Sequence, residues 1–165
     1  MQAVLTRIMV LCLLSALAGC GFHPRGSSVL PSAMAVTYIK SGKPYGSLVD
    51  DFSEALRAHG GIVTSVSGEA TATLHIISNE VDKRVLSVNT AGKVLEFEAS
   101  QTIRFSVMTR ESLPLVEPQE VSMRRDYLFI STDILGKERE DKVVRETLQY
   151  NLVNLALLRI TAAAR

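Results

Sequence analysis

Four residues decide how the rest of this chain can be held together: Leu17-Ala18-Gly19-Cys20. They close a segment that carries one basic residue, Arg7, and a mostly apolar run from Ile8 to Ala18. That layout is a bacterial secretion signal ending in a lipobox. Small residues ahead of the cysteine let a signal peptidase approach the backbone. The thiol is diacylated, and the amine freed by cleavage is acylated in turn. The apolar run is too short to span a bilayer, which takes about 20 apolar residues. Residues 1–19 therefore read as a signal peptide and Cys20 as the lipidation site. The bland alternative is an ordinary signal with a chance cysteine, and the fit of all four positions argues against it.

Cleavage before Cys20 leaves 146 of the 165 residues, one domain's worth. The other cysteine, Cys12, departs with the signal, and the one that remains is acylated. The mature chain then has no internal disulfide, no thiol nucleophile and no thiolate metal site. Its core must rest on apolar burial, and a domain near this size buries roughly 68–70% of its unfolded surface. Once Arg7 is removed, 17 basic residues face 17 acidic ones. No bulk basic field of the kind nucleic acid requires is present, and with no tryptophan there is little to stack bases on. Gly21 follows the cysteine, where an aspartate tends to retain enterobacterial lipoproteins at the inner membrane. Its absence favours the periplasmic face of the outer membrane. Three acyl chains exceed the two signals that stable anchoring takes.

Residues 20–32 are rich in glycine, proline and serine and read as a lipidated tether; 33–165 read as a single domain. From Ala33, Met34, Val36 and Tyr38 alternate with Ala35, Thr37 and Ile39, a strand period broken at Ser41-Gly42-Lys43-Pro44. Ser47 to His59 reads as a helix with Leu48, Phe52, Ala55 and His59 on one face, stopped by Gly60-Gly61. Strand alternation resumes at Thr71–Ile76 and runs to about Asn89. A turn at Asn89-Thr90-Ala91-Gly92 follows, then a strand from Val94 to Met108. Arg110 to Pro118 reads as a loop on its two prolines, and Val121 to Thr132 as a further strand. The last helix carries a stripe of Val144, Leu148, Leu152, Leu155 and Leu158 behind a charged opening, Lys137 to Lys142. Together these predict an α+β fold: an antiparallel or mixed sheet of about four strands, with two helices packed on one face. A sheet packed on one side leaves the other available.

Enzymatic chemistry finds little support. His23 sits in the tether, His59 at a helix end and His75 on the polar side of a strand, and none has a partner at metal-ligand spacing. No nucleophile elbow or phosphate loop occurs. Glu138, Glu140 and Asp141 belong to a charge run, which is usually a solvated helix face. The reading is no enzyme, no catalytic residues, no metal and no cofactor. Two basic groups stand out instead. Lys93 adjoins the Asn89–Gly92 turn, with Lys83 and Arg84 earlier on the same strand. Lys137 opens the last helix, with Arg139 nearby. A lysine at a helix start works against the helix dipole, while the free amides there suit an anion. A surface lysine is the ordinary reading of either.

The pieces then match a family. Cys20-Gly21-Phe22-His23-Pro24-Arg25-Gly26 resembles the mature start of the LptE family of LPS-assembly lipoproteins (rare lipoprotein B). Asn89-Thr90-Ala91-Gly92-Lys93 with Glu96-Phe97 resembles that family's second-to-third strand hairpin. Arg125-Asp126-Tyr127, Leu135-Gly136-Lys137-Glu138 and Leu152 to Arg159 resemble the strand, helix start and closing helix that follow. Pro24 stands where leucine is usual, and Thr90 where some relatives are basic. The resemblance implies a protein that plugs the lumen of the outer-membrane β-barrel LptD, helps it assemble and binds lipopolysaccharide during insertion into the outer leaflet. Lys93, Lys137, Thr90 and Arg139 then become the expected lipopolysaccharide contacts, with lysines pairing lipid A phosphates. Val88 and Val94 would meet the acyl region. The competing readings are a structural lipoprotein of another envelope complex without a ligand, and an anchored hydrolase built on His59 or His75.

Overall fold

The computed structural model describes residues 30–129 and 134–164, with backbone alone at 134–138. The signal peptide, His23 and Cys20 lie outside the described residues. The packed body reaches back to Leu30, inside the stretch assigned to the tether: its side chain is buried in the core. A single 3-10 turn, Ser32–Met34, leads into strand β1, Val36–Ser41. Met34 belongs to that turn and is fully buried. Its carbonyl accepts a hydrogen bond from the buried Thr37 hydroxyl at 2.9 Å.

Helix α1 spans Gly46–Ala58 and buries Leu48, Phe52, Ala55 and Leu56. Gly60 then adopts φ +83° and the Gly61 N–H returns to the Leu56 carbonyl at 2.9 Å, a left-handed helix stop. A Cβ on Gly61 would sit 2.9 Å from Leu30 Cδ1, so the same glycine lets the N-terminal segment pack against the helix end. Strand β2, Ile62–Thr64, follows; at three residues it is too short to show a period, and the sequence reading missed it.

The remaining strands are long: β3 Ala72–Val88, β4 Val94–Thr109 and β5 Pro114–Leu128. Helix α2, Ile134–Ala163, closes the chain. The sheet has five strands rather than about four, in the order β2-β1-β3-β4-β5. It is mixed: β1 runs parallel to β2 and β3, and β3-β4-β5 is an antiparallel meander. Both helices pack on one face, as expected. Leu74, Ile76, Ile103, Phe105 and Val107 of the sheet share one buried cluster with Phe52 of α1 and Leu152, Leu157 and Ile160 of α2. Each such side chain contributes on the order of 1.5–3 kcal/mol of burial.

Three readings need correction. Arg110 to Pro118 is no loop: only Arg110–Leu113 turns, and β5 begins at Pro114. β5 is the last strand of the sheet, and a proline costs no ladder bond on an outward edge. The strand expected over Val121–Thr132 ends at Leu128, and 130–132 lie outside the described residues. The α2 stripe holds through Val144, Leu148 and Leu152, then moves to Val153, Ala156, Leu157 and Ile160; Leu155 is only half-buried and Leu158 is exposed. The C-terminal half of α2 meets both the sheet and α1, so its buried face is wider than one stripe.

Candidate functional site

β1 leaves the sheet early. Its last pairing with β3 is Ser41 against Ile76, while β3 and β4 run on together to the Val88–Val94 pair and β5 accompanies them to Leu128. The sheet therefore has a packed half and a projecting half. Only the N-terminal half of α2 crosses the projection, through a small second core of Ala99, Val144 and Leu148 with Met123 and Tyr127 against it.

A polar knot fastens that crossing. Lys83 Nζ lies 2.6 Å from Asp141 Oδ1 and 4.1 Å above the Phe97 ring. The Tyr127 hydroxyl donates to the same Asp141 oxygen, and Arg145 pairs with the other one. Register explains the meeting: Lys83 opposes Ala99, and Phe97 opposes Tyr127, all on the helix side. Burial pulls the Lys83 ammonium down, but its bonds to Asp141 and Tyr127 outweigh that and hold it above the ordinary lysine value. Burial likewise pushes the Asp141 carboxyl up, yet hydrogen bonds from Lys83 and Tyr127 and their neighbouring charges hold it below the usual carboxylate range. Asp141 is thus no solvated residue of a charge run. Arg84, on the opposite face, pairs with Glu98 at 2.7 Å.

Beyond the knot lies the hairpin turn. The Asn89 side-chain oxygen accepts the N–H of Ala91 at 3.0 Å and of Lys93 at 2.9 Å, and Gly92 takes φ +75°. Thr90 and Lys93 are exposed at this turn, and Lys93 makes no ion pair among the described residues. Arg139 is exposed on α2 between the knot and the helix start, at the same end of the molecule as the turn. Lys137 lies in the first turn of α2, and its side chain is outside the described residues. Of the basic residues singled out from sequence, Lys83 and Arg84 are neutralised internally, while Lys93 and Arg139 face solvent. Val88 is exposed and Val94 half-buried beside the turn.

The histidines are scattered. His59 caps α1, with Nδ1 2.8 Å from the Ala55 carbonyl. His75 borders a depression of about 570 Å³ on the open sheet face, together with Tyr38, Lys40, Thr73 and Arg110. Arg110 there is committed to the Ala70 and Glu69 carbonyls at 2.9 and 3.1 Å. Among the described residues no group of His, Cys, Asp and Glu is arranged to hold a metal ion, and no helix is long and apolar enough to cross a membrane.

A sequence model of the family described as "LptE: Lipopolysaccharide-assembly" matches residues 34–160. The chain belongs to the LptE family. The LPS-assembly lipoprotein LptE of Pectobacterium atrosepticum is 28% identical over 134 residues, covering 80% of this chain and 71% of that one. The LptE of Photorhabdus laumondii is 25% identical with the same coverages. Among solved structures, lipoprotein B of Nitrosomonas europaea superposes with a TM-score of 0.71 over 86% of this chain and 91% of that one, at 24% identity. The rare lipoprotein B of Shewanella oneidensis gives 0.64 over 78% and 94%, at 22% identity. These two share the α+β fold of this chain. LptE membership gives the chain a role in lipopolysaccharide assembly.

Proposed function

We propose that the mature protein is held by acylated Cys20 at the periplasmic side of the outer membrane. There it plugs an LptD-type β-barrel, helps that barrel assemble and binds lipopolysaccharide during insertion into the outer leaflet. The observation that carries the ligand half is the contrast among the basic residues: Lys83 and Arg84 are spent on Asp141 and Glu98, whereas Lys93 is exposed at the hairpin turn and makes no ion pair among the described residues. Lys93, with Thr90, Arg139 and Lys137, would supply charged and hydroxyl donors to lipid A phosphates. The barrel half rests on the family's role in lipopolysaccharide assembly and on an exterior of mixed charge, which suits a hydrated lumen.

Affinity purification of the lipidated chain from detergent-solubilised envelopes tests the barrel half. An outer-membrane β-barrel should co-purify in stoichiometric amount. Recovery of other envelope proteins without a barrel would favour the structural-lipoprotein reading and sink this one.

A further inference from the structure

The two outer edges of the projecting sheet differ in what is left uncovered. There β5 shows exposed charges at Glu120, Arg124, Arg125 and Asp126, while its helix-side Val121 is buried. β3 also carries charges, Glu80, Asp82, Lys83 and Arg84, but leaves its helix-side valines exposed. Because β1 stops at the Ser41–Ile76 pair, β3 beyond that point has a neighbour only on its β4 side, and no backbone group of 77–88 is bonded across the open side among the described residues. Between its bulges, β3 runs in unbroken register from Ser78 to Val85. Val81 and Val85 stand 55% and 50% exposed on its helix side. Next to Val81 the missing β1 leaves a cleft of about 490 Å³, lined by Ser47 and Asp51 of α1 and Arg145, Glu146, Gln149 and Tyr150 of α2. On the open face, Glu80 and Asp82 are exposed and form no salt bridge among the described residues, although the Asp82 charge also acts on Arg84.

A second copy of this chain is a poor occupant. A two-fold antiparallel pairing keeps the helix sides of both copies together, so it must centre on a residue. Centred on Glu80, Asp82, Lys83 or Arg84 it sets that charge against itself, and centred on Val81 it sets Glu80 against Asp82; centred on Ser78 or Asn79 it soon runs into β1, and centred on Val85 half of it falls on the register shifts that follow. Like charges directly opposite one another destabilise the pair.

We infer that Ser78–Val85 is a docking edge for strand addition by another polypeptide. The incoming segment is extended, with apolar side chains over Val81 and Val85 on the helix side. Basic side chains alternate with these on the open side, against Glu80 and Asp82. Main-chain bonds supply affinity and the alternating side chains supply register. Only the naming of the partner as the barrel rests on the function proposed above.

The test places photoreactive p-benzoylphenylalanine at Glu80, at Asp82 and, as control, at Arg124, which lies on the β5 edge in the same cross-strand row as Asp82. Lipidated full-length chain is irradiated in intact envelopes and adducts are mapped by mass spectrometry. Positions 80 and 82 should attach two residues apart on one contiguous segment of a single partner, with little adduct from 124. The double variant Val81→Lys/Val85→Lys, shown folded by its melting curve, should lower the adduct on the order of tenfold through two lost cross-strand pairs. Adducts that scatter, go to lipid alone or join two copies of this chain would overturn the inference, as would failure of 80 and 82 to crosslink while a barrel still co-purifies. Contiguous adducts on a protein other than a barrel would uphold strand addition and overturn the barrel reading.

Discussion

The same strand serves two different ends. On β3, Leu74 and Ile76 are fully buried with Phe105 and Val107 between sheet and helices, whereas Val81, Val85 and Val88 a few residues further on are half-exposed. The sequence is aliphatic in both places; what changes is the cover. α1 and the C-terminal half of α2 seal the first stretch, and β1 ends where that cover ends. An aliphatic strand left uncovered, beside exposed Lys93, Glu80 and Asp82, which form no salt bridge among the described residues, has the character of an interaction surface. Under the proposed function, stability belongs to the packed half and recognition to the projecting half.

The sharpest way to break that division is a pair of truncations. Phe105→Ala should cost about 3–5 kcal/mol by denaturant unfolding, because a ring is lost from a sealed core. Val85→Ala should change stability by no more than about 0.5 kcal/mol. Comparable losses at the two positions would mean that the projection is core as well.

The knot joins the two halves, and its removal should fall between those limits. Asp141→Ala should cost about 1–2 kcal/mol, discounted for partial exposure, and free the N-terminal half of α2 from the hairpin. The pH dependence follows from the depressed Asp141 carboxyl. Its contribution is fully present above the unfolded carboxylate value, about 3.9, and is lost as pH falls through the lower folded value. Wild type should keep the Tyr127 ring contacts, read by NMR, through the ordinary carboxylate range and lose them only at lower pH, as the folded Asp141 carboxyl protonates. Asp141→Asn should lack that step.

The two hairpin turns sharpen the comparison at a finer grain. Each sets one residue in the left-handed region: Gly92 at φ +75° in the β3–β4 turn and Ser112 at φ 61° in the β4–β5 turn. Gly92→Ala should destabilise by about 1 kcal/mol, since a side chain is strained there. Ser112→Gly should stabilise by a few tenths of a kcal/mol at most, relief of strain being largely offset by added freedom in the unfolded chain. Thermal unfolding separates the two signs.

Much of this was legible in the chain. The alternation of Thr71–Ile76 and Thr102–Val107, and the apolar faces of both helices, follow from local period, and they predict the layer and its covered face. What stayed hidden depended on neighbours. Pro114 and Pro118 look like loop residues until β5 is known to be an edge. Leu158 fits a helical stripe until the position of α1 decides which face is wide. The Lys83–Asp141 pair spans 58 residues and leaves no local trace beyond two charges in two basic and acidic runs. Lys93 was legible because a turn motif and a charge lie together in sequence. The β3 edge was not, since an edge exists only once β1 is seen to stop.

The central claim is that the hairpin end recognises lipopolysaccharide while contributing little to the fold. The direct measurement is lipopolysaccharide binding by purified Lys93→Glu/Lys137→Glu protein beside its melting temperature. Two charge-assisted contacts are removed and reversed, so binding should weaken at least on the order of tenfold with the melting temperature unchanged. Undiminished binding by a folded double variant would contradict the account.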